Sequence, residues 1–253
     1  MKAAALKNGA TKQADAGPRH AGLTRDELLR IHRLMLTSRR IDDKEIQLKN
    51  QSLAFFQISG AGHEAILVAA GLALRPGYDW FFPYYRDRAL CLTLGVTPKD
   101  MLLAAVGAQD DPSSGGRQMP SHWSSPDLHI FSASSPTGTQ CLPAVGCGEA
   151  KLLYERVTGI PDREACFKDD EVTYVSIGDG ATSEGEFWEA VNAACLRKVP
   201  LLILVEDNGY AISTPVEVQT PGGSISRLLE SFPDLLIRRV DGTDVLASVQ
   251  VMR

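Results

Sequence analysis

Long apolar runs are missing from this sequence: nowhere in its 253 residues does one approach the ~18 apolar residues of a membrane-spanning helix, so no membrane partner is expected. The first twenty residues carry Lys2, Lys7, Lys12 and Arg19 without an apolar core, which excludes a secretory signal. They are poor in Arg and Ser for an organelle transit peptide, and residues 1–23 read as a disordered tail. Cysteine is sparse and unpatterned. Cys91, Cys141, Cys147, Cys166 and Cys195 form no CxxC pair, and their odd number argues for a reducing compartment, the cytoplasm, over a disulfide framework. No Lys/Arg stripe is present and the net charge is −5, so the electrostatic footprint of nucleic-acid binding is lacking. Repeats and low-complexity tracts are lacking too. What remains, 44% hydrophobic and 23% charged residues, is the balance of a globular chain able to bury a sizeable core, here over residues 24–253.

Thr24-Arg-Asp-Glu27 has the capping-box pattern and opens a helix whose apolar face carries Leu28, Ile31, Leu34, Met35 and Ile41. A second helix is predicted over His63 to Leu74, after the loop Ser59-Gly-Ala-Gly62. Thr97-Pro98 opens another, with Pro where its missing N–H costs nothing. Between them Trp80 to Tyr85 crowds aromatics around Arg86. Residues 109–139, rich in Ser, Gly, Pro and Asp, read as a long loop, and loops of that length are usually functional or disordered. Beyond it, continuous apolar runs at Val172–Ile177, Pro200–Val205 and Leu235–Val240 alternate with helices at Glu184–Leu196 and from Thr243. Such runs indicate an α/β fold: a parallel sheet with helices on both faces and a helical N-terminal extension. Ligands of such sheets bind at the carboxyl ends of the strands.

Two of those ends carry Gly178-Asp179-Gly180 and Asp207-Asn208-Gly209-Tyr210, and 27 residues lie between Gly180 and Asn208. Strand, helix and strand in that length make one right-handed βαβ unit, so the two ends are expected to be neighbours. Asp179 and Asn208 offer the hard oxygens Mg²⁺ takes alongside phosphate and water. Glycines beside Asp179 would let backbone approach a diphosphate, and the following helix terminus would favour the anion. Either motif alone is equally a turn or a helix cap. Together, at this spacing, they point to a metal–diphosphate site.

The string from Gly178 to Asn208 resembles the thiamine diphosphate motif, with Asp207 where that family often has an Asn. Gly178-DGATSEGEFWEA-Val191 and Asp207-NGYAIST-Pro215 further resemble the α subunits of branched-chain 2-oxo acid dehydrogenases. The resemblance implies the thiamine-diphosphate-binding fold, Mg²⁺ held by Asp179, Asn208 and the Tyr210 carbonyl, and cofactor contacts from Gly178, Gly180 and Ala181. Tyr84-Tyr85-Arg86 is similar to the segment whose Arg contacts the diphosphate, a task that suits a planar guanidinium; a salt bridge is the competing role for Arg86. Gly116-Arg-Gln-Met-Pro-Ser-His122 resembles a string that places His122 in the active-site region. Ser134-Ser-Pro-Thr-Gly-Thr-Gln140 is similar to a segment that brings Ser135 to the cofactor. That segment also surrounds a monovalent cation, K⁺ here, with Ser134, Pro136, Thr139 and Gln140; capping of the helix near Leu142 is the plainer role. Gln57 to Ala65 resembles the family's helix entry, with His63 near substrate. One departure is Glu206, where branched-chain members can place an Arg on the diphosphate.

Oxidative decarboxylation of a 2-oxo acid and acyl transfer to a lipoyl arm is the implied activity, with the cofactor carrying the chemistry. Implied partners are a β-type subunit or fused β half, which supplies a Glu to the aminopyrimidine, and the lipoyl domain of the acyltransferase. Family members continue with a further loop, so the chain reads as an incomplete α half that binds cofactor weakly and does not turn over alone. An α₂β₂ assembly would leave an apolar face exposed around residues 180–200. Pyruvate or acetoin dehydrogenase α subunits are the nearest alternative, disfavoured by Arg117-Gln-Met-Pro120 and Ser134-Ser-Pro136. A non-catalytic remnant is the other. A dinucleotide-binding dehydrogenase is a third reading, disfavoured because Ser183 stands where G-x-G-x-x-G needs its third glycine.

Overall fold

The capping box at Thr24 forms as its pattern requires: Thr24 Oγ1 accepts from the Glu27 N–H at 3.3 Å, and Glu27 Oε2 accepts from the Thr24 N–H at 2.7 Å. It starts α1, Arg25–Asn50. The structure, a computed structural model, describes residues 19–159 and 167–253; Cys166 and residues 1–18 of the expected tail lie outside them. Residues 19–23, assigned to that tail by composition, make a 3₁₀ turn at Arg19–Gly22 and bury Ala21 and Leu23 against the core. Further helices are α2 (Glu64–Ala73), α3 (Arg88–Leu94), α4 (Pro98–Ala105), α5 (Cys141–Arg156), α6 (Gly185–Arg197) and α7 (Val245–Met252). Among the described residues no helix is long and apolar enough to cross a membrane.

Three parallel strands, β1 (Trp80–Phe82), β2 (Thr173–Gly178) and β3 (Leu201–Glu206), lie in the order β1-β2-β3. The pairings Trp80↔Thr173↔Leu201 and Phe82↔Val175↔Ile203 set the register, and the two-residue period of a strand then sorts side chains between two cores. Phe81, Tyr174, Leu202 and Leu204 face one core with Ile31 and Ile41 of α1, Leu67 of α2 and Leu90 of α3. Phe82, Val175, Ile177, Leu201, Ile203 and Val205 face the other with Ala144 of α5 and Phe187 and Val191 of α6. Helices therefore cover both faces, as the continuous apolar runs require.

β1 was not legible as a strand, because three residues give no periodicity to read. The expected third strand is a correction. Leu235–Val240 carries no regular secondary structure and lies outside the sheet, and no backbone–backbone hydrogen bond among those of the described residues involves it. The loop 109–139 is largely ordered by short-range bonds: Asp111 accepts from the N–H groups of Ser113 and Ser114, and Ile130 bridges to Phe81 and Ser125.

Candidate functional site

The Asp179 N–H donates to Glu206 O at 3.3 Å, drawing the carboxyl ends of β2 and β3 together as the βαβ reading expected. Asp179 is buried, and its Oδ2 has no hydrogen-bond partner. Burial, then the nearby Asp207 charge, push its carboxyl above the usual carboxylate range. Leaving such an oxygen bare is costly, and a hard cation is one remedy. On the facing loop Asp207 Oδ1 accepts from the Gly209 N–H at 3.2 Å and Asn208 Oδ1 from the Tyr210 N–H at 3.1 Å. These successive Asx turns hold the Asn208 oxygen in place and leave it a second lone pair. Tyr210 then enters a hairpin of β4 (Tyr210–Ala211) and β5 (Thr214–Pro215). No group of three or more His, Cys, Asp or Glu that could hold a metal occurs among the described residues. A metal here would rest on one carboxylate with amide and backbone oxygens, a donor set that fits Mg²⁺ completed by phosphate and water.

A Cβ on Gly180 would sit 2.4 Å from Ala211 Cβ, so the lack of a side chain here admits the β4–β5 hairpin. Gly178 faces the Tyr84 ring, whose hydroxyl would lie 3.7 Å from an added Cβ. Ala181 packs into the core beside α6, and a 3₁₀ turn at Gly180–Ser183 separates Asp179 from the α6 N-terminus.

Ser176, unnoticed in the apolar run of β2, joins the segments. Its hydroxyl donates to Asp87 Oδ2 at 2.5 Å and accepts from the Tyr84 N–H at 3.1 Å, while its carbonyl accepts from Gln140 Nε2 at 2.8 Å. A lone Ser between Val175 and Ile177 was the available signal. The Tyr84–Arg86 turn is thereby fixed over the end of β2. Arg86 donates through Nη1 to Ser59 O at 2.6 Å and lies 5.6 Å from the Tyr85 ring centre. Among the described residues Arg86 makes no ion pair, since the buried Asp87 turns to Ser176 and Tyr174. Its remaining N–H donors suit an anion.

His63 Nδ1 lies 2.7 Å from Glu206 Oε2. Burial pushes the Glu206 carboxyl up to about 7, and burial, then Arg86, push His63 down. Asp87 is raised well above its ordinary value by burial and by Glu206. Glu206, Asp87, His63 and the half-buried Arg86 thus form one electrostatic group at the strand ends.

His122 and Ser135 meet: Nε2 is 2.9 Å from Ser135 Oγ and Nδ1 3.1 Å from Pro120 O. Trp123 Nε1 donates to Tyr84 O at 3.3 Å and holds this loop against the Tyr84–Arg86 turn. Around Ser134, Pro136 O accepts from Thr139 Oγ1 at 3.0 Å, and the Gln140 amide is engaged with Ser176. No hydrogen bond among the described residues ties His122 or Ser135 to Asp179 or Asn208. A cleft of about 580 Å³ touches this site only at its rim, at His63, Glu206, Asp207 and Asn208; its body runs along β3. Among the large apolar residues of 180–200 only Leu196 is exposed; Tyr210, Ile212 and Val218 are exposed beyond it, and Tyr85 and Met119 within the site's own segments.

Residues 32–253 match the dehydrogenase E1 component family. The chain is 34% identical over 92% of its length to the 2-oxoisovalerate dehydrogenase subunit alpha of Bacillus subtilis, covering 67% of that protein. It is 34% identical over 92% of its length to the 3-methyl-2-oxobutanoate dehydrogenase subunit alpha of Mycobacterium tuberculosis, covering 57%. To the mitochondrial 2-oxoisovalerate dehydrogenase subunit alpha 2 of Arabidopsis thaliana it is 33% identical over 87%, covering 43%. The chain thus spans between 43% and 67% of the length of these three relatives. Two strand ends bearing Asp179 and Asn208, the anchored Arg86 and a family match over most of the chain agree: it belongs to the dehydrogenase E1 component family.

Proposed function

We propose that this chain is the α-type half of a 2-oxo acid dehydrogenase's decarboxylating component, holding the Mg²⁺-diphosphate end of thiamine diphosphate and acting on branched-chain 2-oxo acids. The observation that carries the reading is the buried, unpartnered Asp179 Oδ2 at the end of β2, facing the Asx-turned Asn208 loop. Asp179, Asn208 and the Tyr210 carbonyl would hold the metal, and Arg86 would donate to the diphosphate from its anchor on Ser59. Tyr85 and Ser135 would flank the cofactor. When bound, thiamine diphosphate supplies the carbon nucleophile for the 2-oxo carbonyl and the electron sink for loss of CO₂. His63, oriented by Glu206 through Nδ1, would present its other ring nitrogen to the substrate's oxygens, and His122, oriented by Pro120 O, would do so on releasing Ser135 Oγ. A K⁺ at Ser134, Pro136, Thr139 and Gln140 would require Thr139 Oγ1 to release Pro136 O.

A β-type subunit and a lipoyl domain complete the proposed assembly, with the exposed Tyr210, Ile212 and Val218 on the side of the site where such partners would meet it. The names of the Bacillus subtilis and Arabidopsis thaliana relatives support the 2-oxoisovalerate-like substrate. The cytoplasm is the proposed compartment, in keeping with four free described cysteines.

Titration of Mg²⁺–thiamine diphosphate against Trp123 fluorescence tests the cofactor claim. Saturable quenching is expected, weakened ~10–100-fold or more in Asp179→Ala. No saturable binding, even with a β subunit added, would sink the proposal. An artificial-acceptor assay of the assembly should favour 2-oxoisovalerate over pyruvate.

A further inference from the structure

Residues 54–62 lead from α1 to α2 without a helix or strand. Of these, only Gly60 takes part in a backbone–backbone hydrogen bond among the described residues, accepting from the His63 N–H at 3.1 Å. A loop with so few backbone bonds of its own takes its shape from the side chains that reach it. Asp42, buried in α1, is the side chain that does so. Its Oδ1 accepts from Gln57 Nε2 at 3.2 Å, and its Oδ2 from Ser59 Oγ at 2.7 Å and the Gly60 N–H at 3.0 Å. Ser59 Oγ in turn accepts from the Ala61 N–H at 3.0 Å.

The same carboxylate holds the other side of Arg86. Its Oδ1 also accepts from the Arg88 guanidinium, and the Arg88 N–H donates to Arg86 O at 2.8 Å. Arg86 Nη1 donates to Ser59 O at 2.6 Å, the carbonyl of the residue whose hydroxyl Asp42 holds. Gly60 lies so close to this turn that an added Cβ would stand 2.9 Å from Arg86 O. Backbone and guanidinium of Arg86 are therefore each tied to Asp42 through one intervening residue. A carboxylate offers about four acceptor sites. The ion pair with Arg88 uses one at Asp42, and the other three donors come from the loop.

We propose that Asp42 is a positioning residue for Arg86: it fixes the Ser59 carbonyl and the turn before α3, so the guanidinium stands ready for a diphosphate group. The inference rests on the reading of Arg86 as a diphosphate donor. Charge and positioning predict opposite signs for it. Removing a negative charge should by itself tighten the binding of an anion. Removing the anchor frees a long side chain that must then be ordered on binding, and this weakens it.

Inorganic pyrophosphate with Mg²⁺ is the probe, titrated calorimetrically into the intact chain. Arg86→Ala should weaken binding about 10–100-fold, the range for hydrogen bonds to a charged group. Asp42→Asn, which keeps the shape and loses the charge, should weaken it about tenfold. Asp43→Asn makes the same charge change at the exposed neighbour and should leave binding unchanged. Ser59→Ala loosens the link without touching the Arg88 pair and should weaken binding about 3–10-fold; it carries the test if Asp42→Asn does not fold. In an Arg86→Ala background neither Asp42→Asn nor Ser59→Ala should weaken binding further, because their effect runs through Arg86. A merely structural role would give equal losses in both backgrounds, and that result overturns the proposal. Unchanged or tighter binding in Asp42→Asn and Ser59→Ala, with Arg86→Ala weakened, overturns it too. If the wild type shows no saturable binding, or Arg86→Ala binds as it does, the diphosphate reading itself falls and the proposal falls with it.

Discussion

Arg88 is fully buried in α3, with its guanidinium on Asp42 and Glu45 of α1. Asp42 in turn accepts from Ser59 Oγ at 2.7 Å and from the Gly60 N–H at 3.0 Å, which holds the loop under Arg86. A buried ion triad adds little net stability over an apolar substitute, but removing one member strands the others. Arg88→Met should therefore cost about 3–5 kcal/mol in urea unfolding, as two acids lose their counter-charge. A loss within ~0.5 kcal/mol would show the triad to be incidental. None of these three residues stood out in the sequence, because a charged residue inside a helix usually reads as a solvated face. Only the packing of α3 against α1 turns it inward.

Among elements, the β4–β5 hairpin decides where Asn208 and Tyr210 stand. Its Ala211 packs directly on Gly180, and Gln219 Nε2 bonds to Gly180 O and, at 3.0 Å, to Ser183 Oγ. Gly180→Ala puts a methyl 2.4 Å from Ala211 Cβ and must displace the hairpin. Overpacking of this kind costs about 1–3 kcal/mol. The expected result is that loss in thermal or urea unfolding together with weaker Mg²⁺–thiamine diphosphate binding. Unchanged stability and binding would mean the hairpin yields freely. α4 offers a local comparison: Thr97 Oγ1 accepts from the Asp100 N–H at 3.2 Å, and Thr97→Ala should cost about 1 kcal/mol without touching binding.

For the whole molecule, buried acids make stability depend on pH. Burial raises Glu45 from 4.5 to about 7, so between those values the folded chain holds a proton that the unfolded chain releases. That contribution is complete below pH 4.5 and is lost as pH climbs through 7. The unfolding free energy from urea titration should therefore fall from pH 5 to pH 8, by at most ~1.4 kcal/mol per pH unit for this group, and the midpoint with it. Glu45→Gln should flatten that slope. A wild-type midpoint that rises over the same interval, with the variant unchanged, would contradict the assignment.

Periodicity and turn chemistry let the sequence by itself determine the α1 cap, the β2–α6–β3 unit and the pairing of Asp179 with Asn208 at one sheet edge. Those features depend on residues close in sequence, where apolar spacing, capping groups and strand length act directly. The tertiary structure alone decided that Ser176 joins three segments, that Gly180 serves Ala211, and that Arg86 hangs from Ser59 without an acid partner. It also decided that Leu235–Val240, apolar enough for a strand, stands apart from β3. A strand's apolar pattern records the helices above and below it, whereas its hydrogen-bonding neighbour is set by backbone groups that every sequence shares.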